Sequence, residues 1–386
     1  MLRHLKILEF ALAATLRHKG RNLSILVVYT LVIGVLASVL FLTRGLKEEA
    51  RQVLAGAPEL TVQRLIAGRH DLIPIRYGAT LAAVPGVGRV TPRIWGYYYD
   101  SLTTSNYTLL GLNAETGKEL ELLNGRLPSG PGECALGSGV AALRRTAVGD
   151  DLILIDSQNL GVSCEVTGVF NSAAALLTND LLLFPEADLR AFFGFPEGAA
   201  TDFVVQVYNP QEVATVAAKI KQRLPDTRPI TRSEVLRTYD SVFSWRSGML
   251  LTVFASALLA FCILAWDKAT GISAEEKREI GILKAVGWDT ADVLELKVWE
   301  GLVLSLTALL LGLIGAWVHV YWLDSGLLAP VLKGWSVLFP PLILTPRVDL
   351  YQLFVIAFLT VTPYVASTVI PSWKAASADP DSMMRS

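Results

Sequence analysis

Four apolar runs, each about as long as a bilayer is thick, constrain this chain more than any other feature. They are residues 24–43 (SILVVYTLVIGVLASVLFLT), 247–266 (SGMLLTVFASALLAFCILAW), roughly 298–322 (VWEGLVLSLTALLLGLIGAWVHVYW) and roughly 350–370 (LYQLFVIAFLTVTPYVASTVI). A helix needs about 20 such residues to cross a hydrocarbon core. In lipid, every backbone polar group must be satisfied within the segment, so each run predicts a transmembrane helix. The composition agrees: 52% of the 386 residues are hydrophobic and the mean hydropathy is +0.45. Soluble domains rarely average so high. The first run is too long for a signal-peptide core and has no small-x-small cleavage site after it, so it reads as an uncleaved anchor.

Basic residues near the runs set the expected orientation. Arg3, Lys6, Arg17, Lys19 and Arg21 precede the first run, and Lys268, Lys277, Arg278, Lys284 and Lys297 lie between the second and third. Only Lys333 and Arg347 lie between the third and fourth. The prediction is one span, a large external region, then three spans. Residues 1–23, 267–297 and 371–386 are cytoplasmic, and 44–246 and 323–349 are outside. The net charge of −1 gives no basic footprint for nucleic acid.

Within 44–246, strand signals flank a short helix at 78–84: 58–66 (PELTVQRLI) and 87–100 (VGRVTPRIWGYYYD), followed by 107–112 (YTLLGL). From 125 to 184 short strands alternate with glycines: ECALGS, DLILID, VSCEVTGVF and DLLLF. A strand at 201–209 and a helix at 210–224, with Val213, Val216, Ala217, Ile220 and Leu224 on one face, close the region. The expected fold class is therefore four transmembrane helices in a 1 + 3 arrangement. They carry an α+β external domain, an α/β subdomain built from both ends of the region plus a β-rich insertion. Two helical stalks join it to the membrane: Leu42, Leu46, Ala50, Val53 and Leu54 on one, and Val235, Leu236, Tyr239, Val242 and Phe243 on the other. At the N-terminus, Leu2, Leu5, Leu8, Leu12 and Leu16 recur at helical spacing with Arg3, Lys6 and Arg17 between them. That pattern suits a helix on the inner membrane surface and equally one packed on the protein's own spans.

Between the second and third runs lies SAEEKREIGILKAVGWD, residues 273–289. Ser273 followed by Glu276 is a capping-box pattern, Gly271 interrupts the preceding helix, and Gly287 suits a C′ position. Asp289 or Thr290 can cap the next helix. Ile280, Leu283 and Val286 give an apolar stripe at i, i+3, i+6. Such a stripe is buried either in headgroups and the protein's own spans or in a groove of a cytoplasmic partner.

The stretch EEKREIGILKAVGWDTADVLELKVWEGLVLSL resembles the hallmark of FtsX-like permeases, the MacB- and LolC/LolE-type membrane subunits of ABC transporters. Lys277, Arg278, Glu279, Ile280, Gly281, Ile282, Leu283, Lys284, Ala285 and Gly287 match the family pattern, and Glu300 matches its glutamate at the start of the following span. The C-terminal IPSWKAASADPDSMMRS is similar to the family's terminal pattern at Pro371, Lys374, Ala375, Ala376, Pro380 and Arg385. NGRLPSGPGECALGSGVAALRRTAVGDDLILID with GVSCEVTGVF resembles a MacB-type periplasmic domain. The resemblance implies a permease subunit in the inner membrane of a bacterium. The short helix would be the coupling element that docks on a separate ABC ATPase, through Lys277, Arg278, Glu279, Ile280, Gly281, Leu283, Lys284, Val286 and Gly287. It also implies two ATPase copies, a second permease subunit (homodimer or related heterodimer), contact with lipid, and a periplasmic or lipoprotein partner. Its alternative function is a mechanotransmission scaffold that activates envelope enzymes without moving a substrate.

No catalytic chemistry accompanies these signals. GLNAETGKE, 111–119, echoes a phosphate loop but has glutamate where serine or threonine must hold magnesium. No HExxH or GxSxG occurs, and His4, His18, His70 and His319 are scattered. No cofactor or metal is expected; ATP belongs to the partner subunit. Glu300 is the one carboxylate inside a predicted span, either functional or simply reaching headgroups. Pro363 reads as a kink. Cys134 and Cys164 read as two buried strand thiols in preference to a disulfide. The topology is testable with single cysteines. Gly20→Cys, Ala274→Cys and Ser377→Cys should react with an impermeant thiol reagent only after lysis, and Gly130→Cys in permeabilised but unlysed cells. External labelling at position 274 would reject the arrangement.

Overall fold

The computed structural model describes residues 2–17, 19–112, 121–171, 179–270, 274–328, 331, 344, 346 and 349–377. The chain forms two compact units. A helical unit comprises Met1–Leu46, Phe243–Leu332 and Ile343–Ser386, and a sheet-bearing unit comprises Lys47–Val242 with Lys333–Leu342. The chain opens with helices α1 (Leu2–Arg17) and α2 (Lys19–Ala55).

The sheet-bearing unit then runs β1 (Leu60–Ile66), β2 (Arg69–Asp71), β3 (Ile73–Pro74), α3 (Tyr77–Ala82), β4 (Val87–Arg93), β5 (Trp95–Asp100), β6 (Ser105–Leu112), β7 (Glu121–Gly125) and β8 (Glu133–Gly137). It continues through α4 (Ser138–Arg144), β9 (Asp151–Ile155), β10 (Gly161–Asn171), β11 (Leu181–Pro185), α5 (Glu186–Phe193), β12 (Ala199–Ala200), β13 (Asp202–Val207), α6 (Val213–Arg223) and β14 (Thr227–Thr231). One sheet has the order β14-β1-β13-β4, with β2 on β1, and draws on both ends of the region. Its register sets Leu60 opposite Val205 and Val62 opposite Phe203. These four buried side chains share a face, and Val216 and Ile220 of α6 are buried in the same core. The second sheet, β5-β6-β11-β8-β10-β7 with β9 on β10, is the glycine-punctuated insertion.

The run 87–100, read from sequence as one strand, divides between the two sheets. β4 pairs with β13 in the first and β5 with β6 in the second. The switch is held by Asp202, which is fully buried. Its carboxylate accepts from Arg93 Nε and Nη2 and from Trp95 Nε1, all at 2.8 Å. A buried charge is tolerable only when its partners satisfy it in this way. Cys134 and Cys164 lie side by side, buried in the core.

The remaining helices are α7 (Arg232–Thr270), α8 (Ala274–Ala285), α9 (Thr290–Tyr321) and α10 (Leu350–Ala376). Among the described residues four helices, α2, α7, α9 and α10, are long and apolar enough to cross a membrane. Gly34 of α2 faces Gly312 of α9 so closely that a Cβ on Gly312 would lie 2.8 Å from Ile33 Cγ2. Small residues are what permit such backbone approach between apolar helices. Tyr29 of α2 stacks on Tyr364 of α10 (5.1 Å) and donates to the Thr360 carbonyl. Gly301 of α9 opens room for Thr368 and Val365 of α10. In the sheet-bearing unit, the end of α2 and the start of α7 meet where Asp240 lies 3.6 Å from Arg51 and 4.0 Å from Lys47.

The loop before β8 is pinned by one carboxylate. Glu133 accepts from Arg126 (2.5 and 2.8 Å), from the Ser129 amide (2.7 Å) and from the Gly130 amide (3.0 Å). The Arg126 guanidinium, helped by the two amides, holds this carboxyl far below the usual carboxylate range. A depressed folded-state pKa contributes stability above the unfolded value, and that contribution is lost as pH falls through the folded one. Glu133→Gln should therefore lower the unfolding temperature most at neutral pH. The gap from wild type should shrink from about pH 4 downward, as read by thermal denaturation at stepped pH.

Candidate functional site: the α8–α9 corner

The twelve-residue helix α8 sits between α7 and α9. It ends as its glycine dictates: Gly287 takes φ +101°, with Gly287 N–H donating to Lys284 O and Trp288 N–H to Leu283 O, both at 3.0 Å. This is a left-handed C-terminal cap. Asp289 then opens α9 in a capping box with Asp292.

The stripe expected at Ile280, Leu283 and Val286 is not one face. Ile280 is 3% exposed and packs on Val293 of α9. Leu283 packs, with Phe10, Trp288 and Trp299, against the buried patch of Ile7, Ala11 and Leu296. Val286 is 76% exposed. The reason is helical geometry. Each three-residue step falls about 60° short of a turn, so by Val286 the stripe has rotated about 120° from Ile280. The outward apolar residues are Ile282, 52% exposed, and Val286, one turn apart. Gly281 is buried, and Glu279 and Lys284 are half-buried.

α1 completes the corner. It packs on the protein's own helix through Ile7 and Ala11, buried against Leu296, while Leu5, Leu12 and Leu16 are exposed. Three polar contacts join it to the rest. Arg3 donates to both Asp292 oxygens at 2.5 Å. His4 Nδ1 lies 2.6 Å from Glu295 Oε1, and Arg17 donates to Glu279 at 2.7 Å. Phe10 lies against Trp288, with ring centroids 5.6 Å apart. Of these, the sequence reading named only Glu279 as a site residue, with Arg3 and Arg17 read as cations flanking the first span. The pairs are separated by 262 to 291 positions, and no local periodicity reports them. The one available signal was a cationic α1 and an acidic α9 start.

Glu300 accepts from Lys297 (2.7 Å), so it is ion-paired one turn along its own helix. Pro363 lies inside α10, on the wall of an apolar groove shared with Leu259, Cys262 and Ile263 of α7. Among the described residues, no cluster of His, Cys, Asp or Glu could hold a metal ion. Ser273, Gly271, residues 113–120 of the phosphate-loop echo, Pro380 and Arg385 lie outside the described residues. So do the side chains of Lys277, Arg278, Lys374, Ala375 and Ala376.

Long apolar helices, an α+β unit between the first and second of them, and a charged capped helix between the second and third define a membrane permease with a large extramembrane domain. Residues 24–223 match the MacB-like periplasmic core domain, and residues 249–380 match the FtsX-like permease C-terminal family. The chain belongs to the FtsX-like, MacB-type family of ABC transporter permeases. Among solved structures it is similar to the extracellular domain of the noncanonic ABC-type transporter YknZ from Gram-positive bacteria. That match has 14% identity, 45% of this chain, 99% of that one and a TM-score of 0.32. It is also similar to the periplasmic region of MacB from Actinobacillus actinomycetemcomitans, with 15% identity, 52% and 96% coverage and a TM-score of 0.34. No curated protein matches.

Ile280→Asp would bury an unpaired carboxylate against Val293, at a cost of several kcal/mol. It should detach α8 from α9, read as faster proteolysis between residues 270 and 290 in membranes. Wild-type protection would show that Ile280 does not hold the corner.

Proposed function

We propose that this chain is the permease subunit of a MacB/Lol-type ABC transporter. It relays the ATP-driven motion of a separate ATPase to its extracytoplasmic unit, to export or extract a substrate. It lies in the bacterial inner membrane with both termini cytoplasmic, pairs with a second permease subunit, and stands on two ATPase copies. The chain itself is non-catalytic.

The observation that carries this reading is the outward pair Ile282 and Val286 on α8. Two large apolar side chains one turn apart, on a short charged helix whose other face is already packed, form the kind of anchor that enters a groove on a partner. Glu279, Lys284 and Gly287 border this face, and Ile280, Gly281 and Leu283 support it from behind. The contact is therefore read with Ile282 added to the residues named from sequence. Glu300, paired to Lys297, belongs to the same end of α9 and would stiffen it.

Val286→Asp should leave membrane insertion unchanged and reduce the co-purifying ATPase by about ten-fold or more, the loss expected when a central apolar anchor becomes charged. Lys284→Ala should cost less and depend on salt. Full ATPase retention by an Ile282→Asp/Val286→Asp double variant would sink the assignment of α8.

A further inference from the structure

We propose that α1 is a brace for α8, with Arg17, Arg3 and His4 acting as positioning residues that set how α8 meets the ATPase. The inference rests on the reading of α8 given above. It starts from where the contacts of α1 fall. Arg17 reaches Glu279 on α8 itself. Phe10 lies on Trp288, in the link between α8 and α9. Arg3 and His4 reach Asp292 and Glu295 in the first turns of α9. One helix thus touches all three parts of the corner. The contacts have a common sign logic, with cationic or protonatable groups on α1 and carboxylates on α8 and α9.

Without α1, the described seam between α8 and α9 is the apolar pair Ile280 and Val293 with Leu283 beside Leu296. Apolar contacts along one side of a helix fix a distance and leave it free to roll about that line. The Arg17–Glu279 link removes that freedom, because it lies on a different side of α8 and is anchored on a second helix. Asp292 also serves the capping box of α9, so Arg3 is tied to the residue that sets where α9 begins. At its other end α1 is fixed to α2, since Asn22 donates to the Thr15 carbonyl at 2.9 Å. The outward leucines, Leu5, Leu12 and Leu16, recur on one side of α1. They are followed along α2 by exposed Leu23, Val27 and Leu31. The brace thereby connects α8 to the first membrane-length helix.

The test uses the full-length chain in native membranes, together with the ATPase that the wild type captures. Arg17→Cys/Glu279→Cys should be joined by a short bis-maleimide, which spans positions whose Cβ atoms are too far apart for a direct disulfide, and be detected as a linked peptide. Arg17→Glu alone should reduce captured ATPase by about five-fold, as like charges replace a pair. Arg17→Glu/Glu279→Arg, which also alters a residue bordering the ATPase face, should recover part of that loss and return α8 to wild-type resistance to proteolysis, a readout independent of the ATPase; a loss that came from general destabilisation would recover neither. Failure of the cross-link overturns the brace. So does a swapped variant no better than the worse single variant while the wild type captures ATPase. If the cross-link forms and the wild type captures no ATPase, the reading of α8 falls, and the role of the brace falls with it.

Discussion

The buried Asp202 carboxylate is the constraint on which the sheet-bearing unit depends. A fully buried charge must find its donors within the protein, and it finds them in Arg93 and Trp95, on either side of the point where the chain leaves one sheet for the other. The side-chain hydroxyl of Thr201 adds a reciprocal pair of bonds to the Trp95 backbone, accepting from its amide and donating to its carbonyl. The strand switch is therefore fixed by polar geometry, while both sheets contribute to one apolar core. Removing the carboxylate would strand Arg93 and free the hinge between β4 and β5 together.

The helical unit solves a different problem. Its long helices are apolar on most sides, so hydrophobicity does little to select partners among them, and close approach has to do so. Gly34 against Gly312, Gly301 against Val365 and Thr368, and Tyr29 against Tyr364 provide that selection. At the α8–α9 corner, charge and apolar packing act together, and the EIGILKAVG part of the family pattern becomes legible. Ile280, Gly281 and Leu283 face inward, Ile282 and Val286 face outward, and Gly287 stops the helix.

Much of this was readable from sequence because it depends on local rules. Span length fixes the four apolar helices, Gly287 fixes the cap, and strand signals mark 58–66 and 201–209, which the structure pairs as β1 and β13. Three features were not readable, each for a physical reason. The run 87–100 has no turn residue at Ile94, so its division between sheets depends on Asp202, more than 100 positions away. The direction of the apolar residues on α8 depends on which face α9 and α1 take first, and a three-residue spacing drifts too quickly to settle it. The ion pairs of α1 join the first seventeen residues to positions beyond 278, where each side's charge is visible in the sequence and the pairing between them is not.

Burial along the membrane-length helices is uneven. In α2 and α9 the most apolar stretch is 44% and 39% buried within the chain, whereas in α7 it is 11%. Gly34 and Gly312 bring the α2 and α9 backbones nearly into contact, so neither helix can rotate without carrying the other. Among the described residues α7 shows no comparable glycine clasp. Resistance to axial rotation is therefore uneven: α2 and α9 turn together, while the described apolar stretch of α7 is held by less burial.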